Sequence, residues 1–103
     1  MQPINRTAAA AALRSLSGGH CFIHFEFTRG GFVRNLAADV EEALIRGDGP
    51  YRIGIRCKAN GWVVMEGLTH MEIREGEPLF FGTLESDQRL AQALQISREV
   101  FAP

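Results

Sequence analysis

The stretch His20-Cys21-Phe22-Ile23-His24-Phe25-Glu26-Phe27-Thr28 decides how the rest of the chain is read. Side chains alternate across a strand, so Cys21, Ile23, Phe25 and Phe27 form an apolar face. His20, Phe22, His24, Glu26 and Thr28 then point the other way. Two of the three histidines and a carboxylate stand in line on that second face. Nowhere else does local spacing alone gather groups capable of chemistry.

Length and composition set the frame. One domain spanning residues 1–103 is expected, since a chain of 103 residues can bury a single core without staples. Hydrophobic residues at 46% and charged residues at 22% are ordinary globular values and argue against disorder. A net charge of −1 gives no single-signed field to draw nucleic acid or an anionic membrane to the whole surface. Cys21 and Cys57 both take the apolar parity of their strands and read as buried, reduced thiols. No CxxC or Cys/His cluster has zinc spacing. The alanine run 8–12 is short, weakly hydrophobic and followed by Arg14, so it reads as a helix and not as a targeting peptide or membrane span. A cytoplasmic location follows as the expectation.

Outward from the histidine strand, Asn5 or Thr7 caps a first helix that Gly18-Gly19 ends. After Arg29-Gly30-Gly31, Leu36, Val40, Ala43 and Leu44 recur at helical spacing and predict a second helix over 36–46, capped by Asn35. Gly47-Asp48-Gly49-Pro50 stops it. Residues 51–84 read as a four-stranded meander. Asn60-Gly61 predicts a two-residue type I′ turn, which pairs Cys57 with Val64 and Arg56 with Met65. In that register Trp62 and Val64 join the core, while Val63 and Met65 face outward. A third helix starts at Ser86 or Asp87 and carries Leu90, Leu94 and Phe101. The expected fold is therefore α+β, in the order α-β-α-β-β-β-β-α. It has a mostly antiparallel five-stranded sheet and three helices on one face.

Three sets of residues are candidates for function. His24, Glu26, His70 and Glu72 share a polar parity and would converge in a metal or acid–base site if their strands were neighbours. The competing account is a solvated sheet face. Arg52, Arg56 and Lys58 form a basic stripe suited to phosphate, carboxylate or single-stranded nucleic acid. Without paired aromatics to stack bases, nucleic acid is disfavoured, and cross-strand pairing with Glu66, Glu72 or Glu75 explains the stripe structurally. Gly30-Gly31 lacks both GxGxxG and GxxxxGK[ST], so it reads as a plain loop.

Phe22, Val63, Met65 and Phe80 (or Phe81) form an apolar set on the helix-free face, which suits a protein partner. No catalytic constellation is complete, no metal set is assigned and no cofactor is implied. The leading reading is a non-enzymatic interaction or regulatory module, most simply a homodimer packed sheet to sheet. A small His/Glu enzyme and an anion-binding domain are the alternatives.

Overall fold

The computed structural model describes residues 1–83 and 90–102. Its elements are β1 (Gln2–Pro3), α1 (Arg6–Arg14), β2 (His20–Phe27), β3 (Phe32–Arg46), β4 (Tyr51–Cys57), β5 (Trp62–Leu68), β6 (His70–Arg74), β7 (Glu77–Thr83) and β8 (Leu90–Ser97). They form one antiparallel sheet in the order β1-β6-β7-β8-β2-β3-β4-β5. The expected five strands and three helices are thus corrected to eight strands and one short helix.

Two expectations stand as read. Asn5 caps α1, its Oδ1 accepting the Ala8 N–H at 3.0 Å. The histidine strand is β2, with Cys21 and Ile23 buried on the apolar side. The segment 36–46 is not a helix, and β3 shows why its spacing looked helical. Opposite His24, β3 carries one extra residue, because Ile23 pairs with Leu36 and Phe25 with Val33. A second extra residue falls where Val40 pairs with Cys57 and Glu42 with Arg56. Each bulge lengthens one inward step from two residues to three. Val33, Leu36, Ala38, Val40, Ala43 and Ile45 therefore share one face, and a subset of them falls at helical intervals. Ladders to β2 and β4 override the high helix propensity of Glu41-Glu42-Ala43-Leu44.

The last expected helix is β8. Leu94 and Ile96 are buried at a period of two, and its expected caps, Ser86 and Asp87, lie outside the described residues. The segment 51–83 does supply four strands, but as two separate hairpins and not the expected meander: β4 pairs with β5 and β6 with β7, while β5 and β6 are not ladder partners. The first hairpin also has a different turn. Cys57 N–H donates to the Gly61 carbonyl at 2.8 Å, and Asn60 adopts φ +69°. The loop is therefore Lys58-Ala59-Asn60, one residue longer than a type I′ turn, with Asn60 as its left-handed residue. Arg56 thus pairs with Trp62 and not with Met65, and a register change by an odd number of residues flips every side chain of the strand. Trp62 and Val64 face outward, Met65 enters the core and Val63 packs against it.

The sheet curls until β5 lies against β7. Its concave side holds Ile23, Val40, Ile53, Ile55, Leu68, Met71, Phe80, Leu94 and Ile96, and α1 adds Ala9 and Leu13. Gly82 allows the closure. A Cβ there would sit 2.5 Å from the Gly67 carbonyl oxygen and 2.8 Å from Gln92 Cγ. The Gln92 amide, in turn, hydrogen-bonds the Glu66 carbonyl and blunts that end of the edge strand.

Two predictions follow from this packing. Gly82→Ala must push β5 away from β7 or displace Gln92, and should destabilise by about 1–3 kcal/mol in urea titration. An unchanged midpoint would mean that the closure is not tight. Cys21 and Cys57 are free and flank β3, opposite Ala38 and Val40 respectively. Two ladder spacings, about 9.5 Å, exceed the reach of a disulfide, roughly 7 Å between Cα atoms. Burial, followed by the nearby Cys57, pushes the Cys21 thiol up to about 11. Half-buried Cys57 should react first with a thiol reagent, and Cys21 only as the protein unfolds. Equal rapid labelling of both would contradict this placement.

Candidate functional site

His24 sits on the convex side of β2, where a strand residue would ordinarily meet water, yet only 2% of its surface is exposed. The first bulge of β3 explains part of this. It turns Asn35 into the left-handed region, φ +56°, and frees its N–H from the ladder. That N–H donates to His24 Nδ1 at 3.0 Å. On the other side, His24 Nε2 lies 2.7 Å from Ser97 Oγ on β8, and Ser97 Oγ donates to the Glu99 carbonyl at 2.8 Å. The chain beyond β8 then folds back, and the Phe101 ring stacks on the imidazole at 3.7 Å with 4° between planes. A cavity of about 100 Å³ opens beside the stacked pair, lined by Phe25, Glu26, Arg34, Leu79 and Gln95 among others.

These contacts define the proton on His24. Nδ1 accepts an amide hydrogen, so it carries none, and the neutral ring holds its hydrogen on Nε2 and donates it to Ser97. Burial lowers the His24 pKa, the Arg34 charge lowers it further, and Glu77 opposes both. A nucleophilic serine needs the reverse arrangement, with Nε2 accepting the hydroxyl proton. Ser97 and His24 are at dyad distance but in the wrong tautomer for that chemistry.

The other candidate residues are on the expected face but not together. Glu26 pairs with Ala93, Ala93 with Phe81 and Phe81 with His70; likewise His24, Gln95, Leu79 and Glu72 form one row. Three ladder spacings, about 14 Å, separate the two ends of each row, too far to share an ion. Glu26 instead meets Arg34 at 3.4 Å, and His70 Nδ1 meets Thr69 Oγ1 at 2.8 Å. Glu72 bridges the terminal ammonium at 3.1 Å and Arg74 at 2.7 Å, which together hold its carboxyl below the usual range. Among the described residues, no group of three or more His, Cys, Asp or Glu is placed to hold a metal ion.

The basic stripe is largely paired. Arg52 bridges Glu66, and Arg56 lies 3.7 Å from Glu41 and 3.5 Å from Glu42, with its guanidinium over the Trp62 ring; Lys58 is exposed. Of the apolar set, Met65 and Phe80 are core residues and Val63 packs against the core, while half-buried Phe22 and Phe81, the alternative to Phe80, are on the convex face. Among the described residues, no helix is long and apolar enough to cross a membrane. The sequence does not single out Asn35, Ser97 and Phe101 as a unit, because helical spacing puts each in or beside a helix that does not form. Composition gives little signal for them, since β3 holds only three β-branched residues, Val33, Val40 and Ile45, among good helix formers.

The His24 network carries a pH dependence whose sign is determined. A folded-state pKa below the unfolded value of about 6.5 favours the neutral ring. The resulting stability is fully present above about pH 6.5 and is lost as the pH falls from there through the folded-state pKa. Thermal unfolding between pH 7.5 and 5 should therefore fall more steeply for the wild type than for His24→Gln, which cannot titrate. Parallel profiles for the two proteins would mean that His24 is not held neutral.

Comparison with known proteins agrees with this architecture. The uncharacterized protein YojF of Bacillus subtilis (strain 168) is 30% identical to this chain over 98% of each sequence. The crystal structure of B. subtilis YojF matches with a TM-score of 0.88 and 32% identity, covering 99% of this chain and 97% of that one. A family model described as a protein of unknown function (DUF1806) matches residues 3–101, and the chain belongs to that family.

Proposed function

We propose that this protein is a non-enzymatic interaction module that pairs with a second copy of itself through the convex face of β3, β4 and β5. The observation that carries the reading is the outward pair Trp62 and Val64, 57% and 51% exposed on one edge strand. Leu44, Gly54 and Val64 stand in one cross-strand row, and Glu42, Arg56 and Trp62 in the next. The Trp62 ring leans over Gly54, where a Cβ would touch both it and Val64. A tryptophan backed by aliphatic groups and flanked by an arginine has the composition of an interface centre.

A second copy is favoured by the charges around this patch. Arg52 with Glu66, and Arg56 with Glu41 and Glu42, place both signs on the same rim. Under a twofold axis each cation can face a carboxylate of the other copy, so one patch complements itself. The start of β5 also offers edge hydrogen-bonding groups that the Gln92 cap on Glu66 does not cover. The patch differs from the apolar set expected from the sequence, because the longer hairpin loop exchanges Met65 for its neighbours.

Sedimentation velocity at micromolar concentration tests the reading. The wild type should sediment as a dimer, and Trp62→Glu, which changes an exposed side chain, should weaken association by about 2 kcal/mol or more. A wild-type monomer, or a dimer indifferent to Trp62→Glu, would overturn it.

A further inference from the structure

The segment that covers His24 is held in an unusual way. Its backbone supplies most of the polar contacts. Arg98 N–H donates to Glu77 Oε2 at 2.5 Å, and the Glu99 carbonyl accepts from Ser97 Oγ at 2.8 Å. The Asn35 side chain reads a single residue twice, taking the Phe101 N–H on Oδ1 at 2.7 Å and donating Nδ2 to the Phe101 carbonyl at 3.0 Å. Two side chains add to this. Phe101 stacks on His24, and Arg98 reaches Glu77 at 3.9 Å and Ser15 Oγ at 3.5 Å. The body of the protein thus recognises an extended main chain, one aromatic ring and one cation three residues before it.

The seat is built independently of what it holds. Asn35 N–H to His24 Nδ1 and His24 Nε2 to Ser97 Oγ are contacts among sheet residues. They fix the imidazole plane against which a ring can lie. The present occupant is attached lightly, since Arg98, Glu99, Val100 and Ala102 are all exposed and only Phe101 is partly buried. It also leaves the adjoining 100 Å³ cavity open, with Glu26, Arg34 and Gln95 as polar lining. A segment with few buried apolar contacts opens at low free-energy cost.

We infer that the His24–Asn35 seat is a peptide-binding site for an extended segment bearing an aromatic residue, and that residues 98–102 of this chain occupy it in cis. Main-chain hydrogen bonds supply affinity and a single aromatic slot supplies selectivity, as in other modes of extended-peptide recognition. A peptide in trans competes with the tail, so its apparent affinity is reduced by the fraction of molecules in which the tail is seated. The seat lies on β2, β3 and β8, away from the Trp62 patch, and stands or falls separately from the dimer.

The test uses the full chain carrying Phe101→Ala and the peptide acetyl-Arg-Glu-Val-Phe-Ala-amide, followed by calorimetry. Phe101→Ala should bind the peptide with one-to-one stoichiometry, at least tenfold more tightly than the wild type does. It should also bind at least tenfold more tightly than it binds a peptide with alanine in place of phenylalanine. Adding Asn35→Ala should abolish binding. A folded Phe101→Ala protein that binds no better than the wild type, or does not distinguish the peptides, overturns the proposal. If Phe101→Ala does not fold, wild-type protein with 4-fluorophenylalanine at position 101 gives the answer by fluorine resonance. Millimolar peptide should move that resonance toward its solvent-exposed position, and an unmoved resonance overturns the proposal.

Discussion

The geometry of β3 constrains everything else in this molecule. Fifteen residues in a straight strand would span roughly 46 Å at about 3.3 Å per step, whereas the longest dimension of the chain is 37 Å. The strand therefore has to bend, and it does so where its ladder changes sides. Residues from Phe32 to Asp39 pair with β2, and those from Val40 to Arg46 pair with β4. Each half has a bulge, which adds twist without taking the inward residues off the core face. Without the bend, β4 and β5 could not swing round to meet β7, and the interior would lie open along one side.

The same device creates the seat at His24. A regular ladder would have directed the Asn35 N–H to a carbonyl on β2 and left His24 in solvent. With the extra residue, that N–H goes to an imidazole nitrogen instead, and the Asn35 side chain becomes a clamp for the returning tail. Asparagine suits the position because it tolerates the left-handed conformation better than most side chains. One backbone irregularity thus links the curvature of the sheet to its most organised polar cluster.

How much of this was legible in the sequence depends on whether the relevant signal was local. The parity of β2, the Asn5 cap and the existence of four strands over 51–83 rest on neighbours in sequence, and they hold; the meander order does not, because β6 pairs with β7 and β1 instead of β5. The helix expected at 36–46 failed because bulges seven residues apart imitate helical spacing, and single-chain periodicity cannot separate the two. The Asn60-Gly61 hairpin failed by one residue in loop length and three in pairing: asparagine alone took the positive φ, and the odd shift exchanged Trp62 and Val64 with Val63 and Met65. The His/Glu cluster was right in parity and wrong in distance, because strand order, which local patterns do not encode, puts β7 and β8 between its halves.

The convex face now divides by how its apolar groups are treated. On β6 and near Arg52, water and ion pairs suffice, and such exposed pairs contribute little to stability. Around His24 and Leu79 the face is covered by the chain's own tail, at the cost of ordering five residues over it. At Trp62 and Val64 comparable apolar surface is left uncovered among the described residues. A protein that satisfies its histidine so fully, with both ring nitrogens engaged and one face stacked, has removed from that residue the free lone pair that acid–base work requires. The uses proposed for the two regions are both recognition, by main-chain reading at the bulge and by aromatic burial at the edge strand.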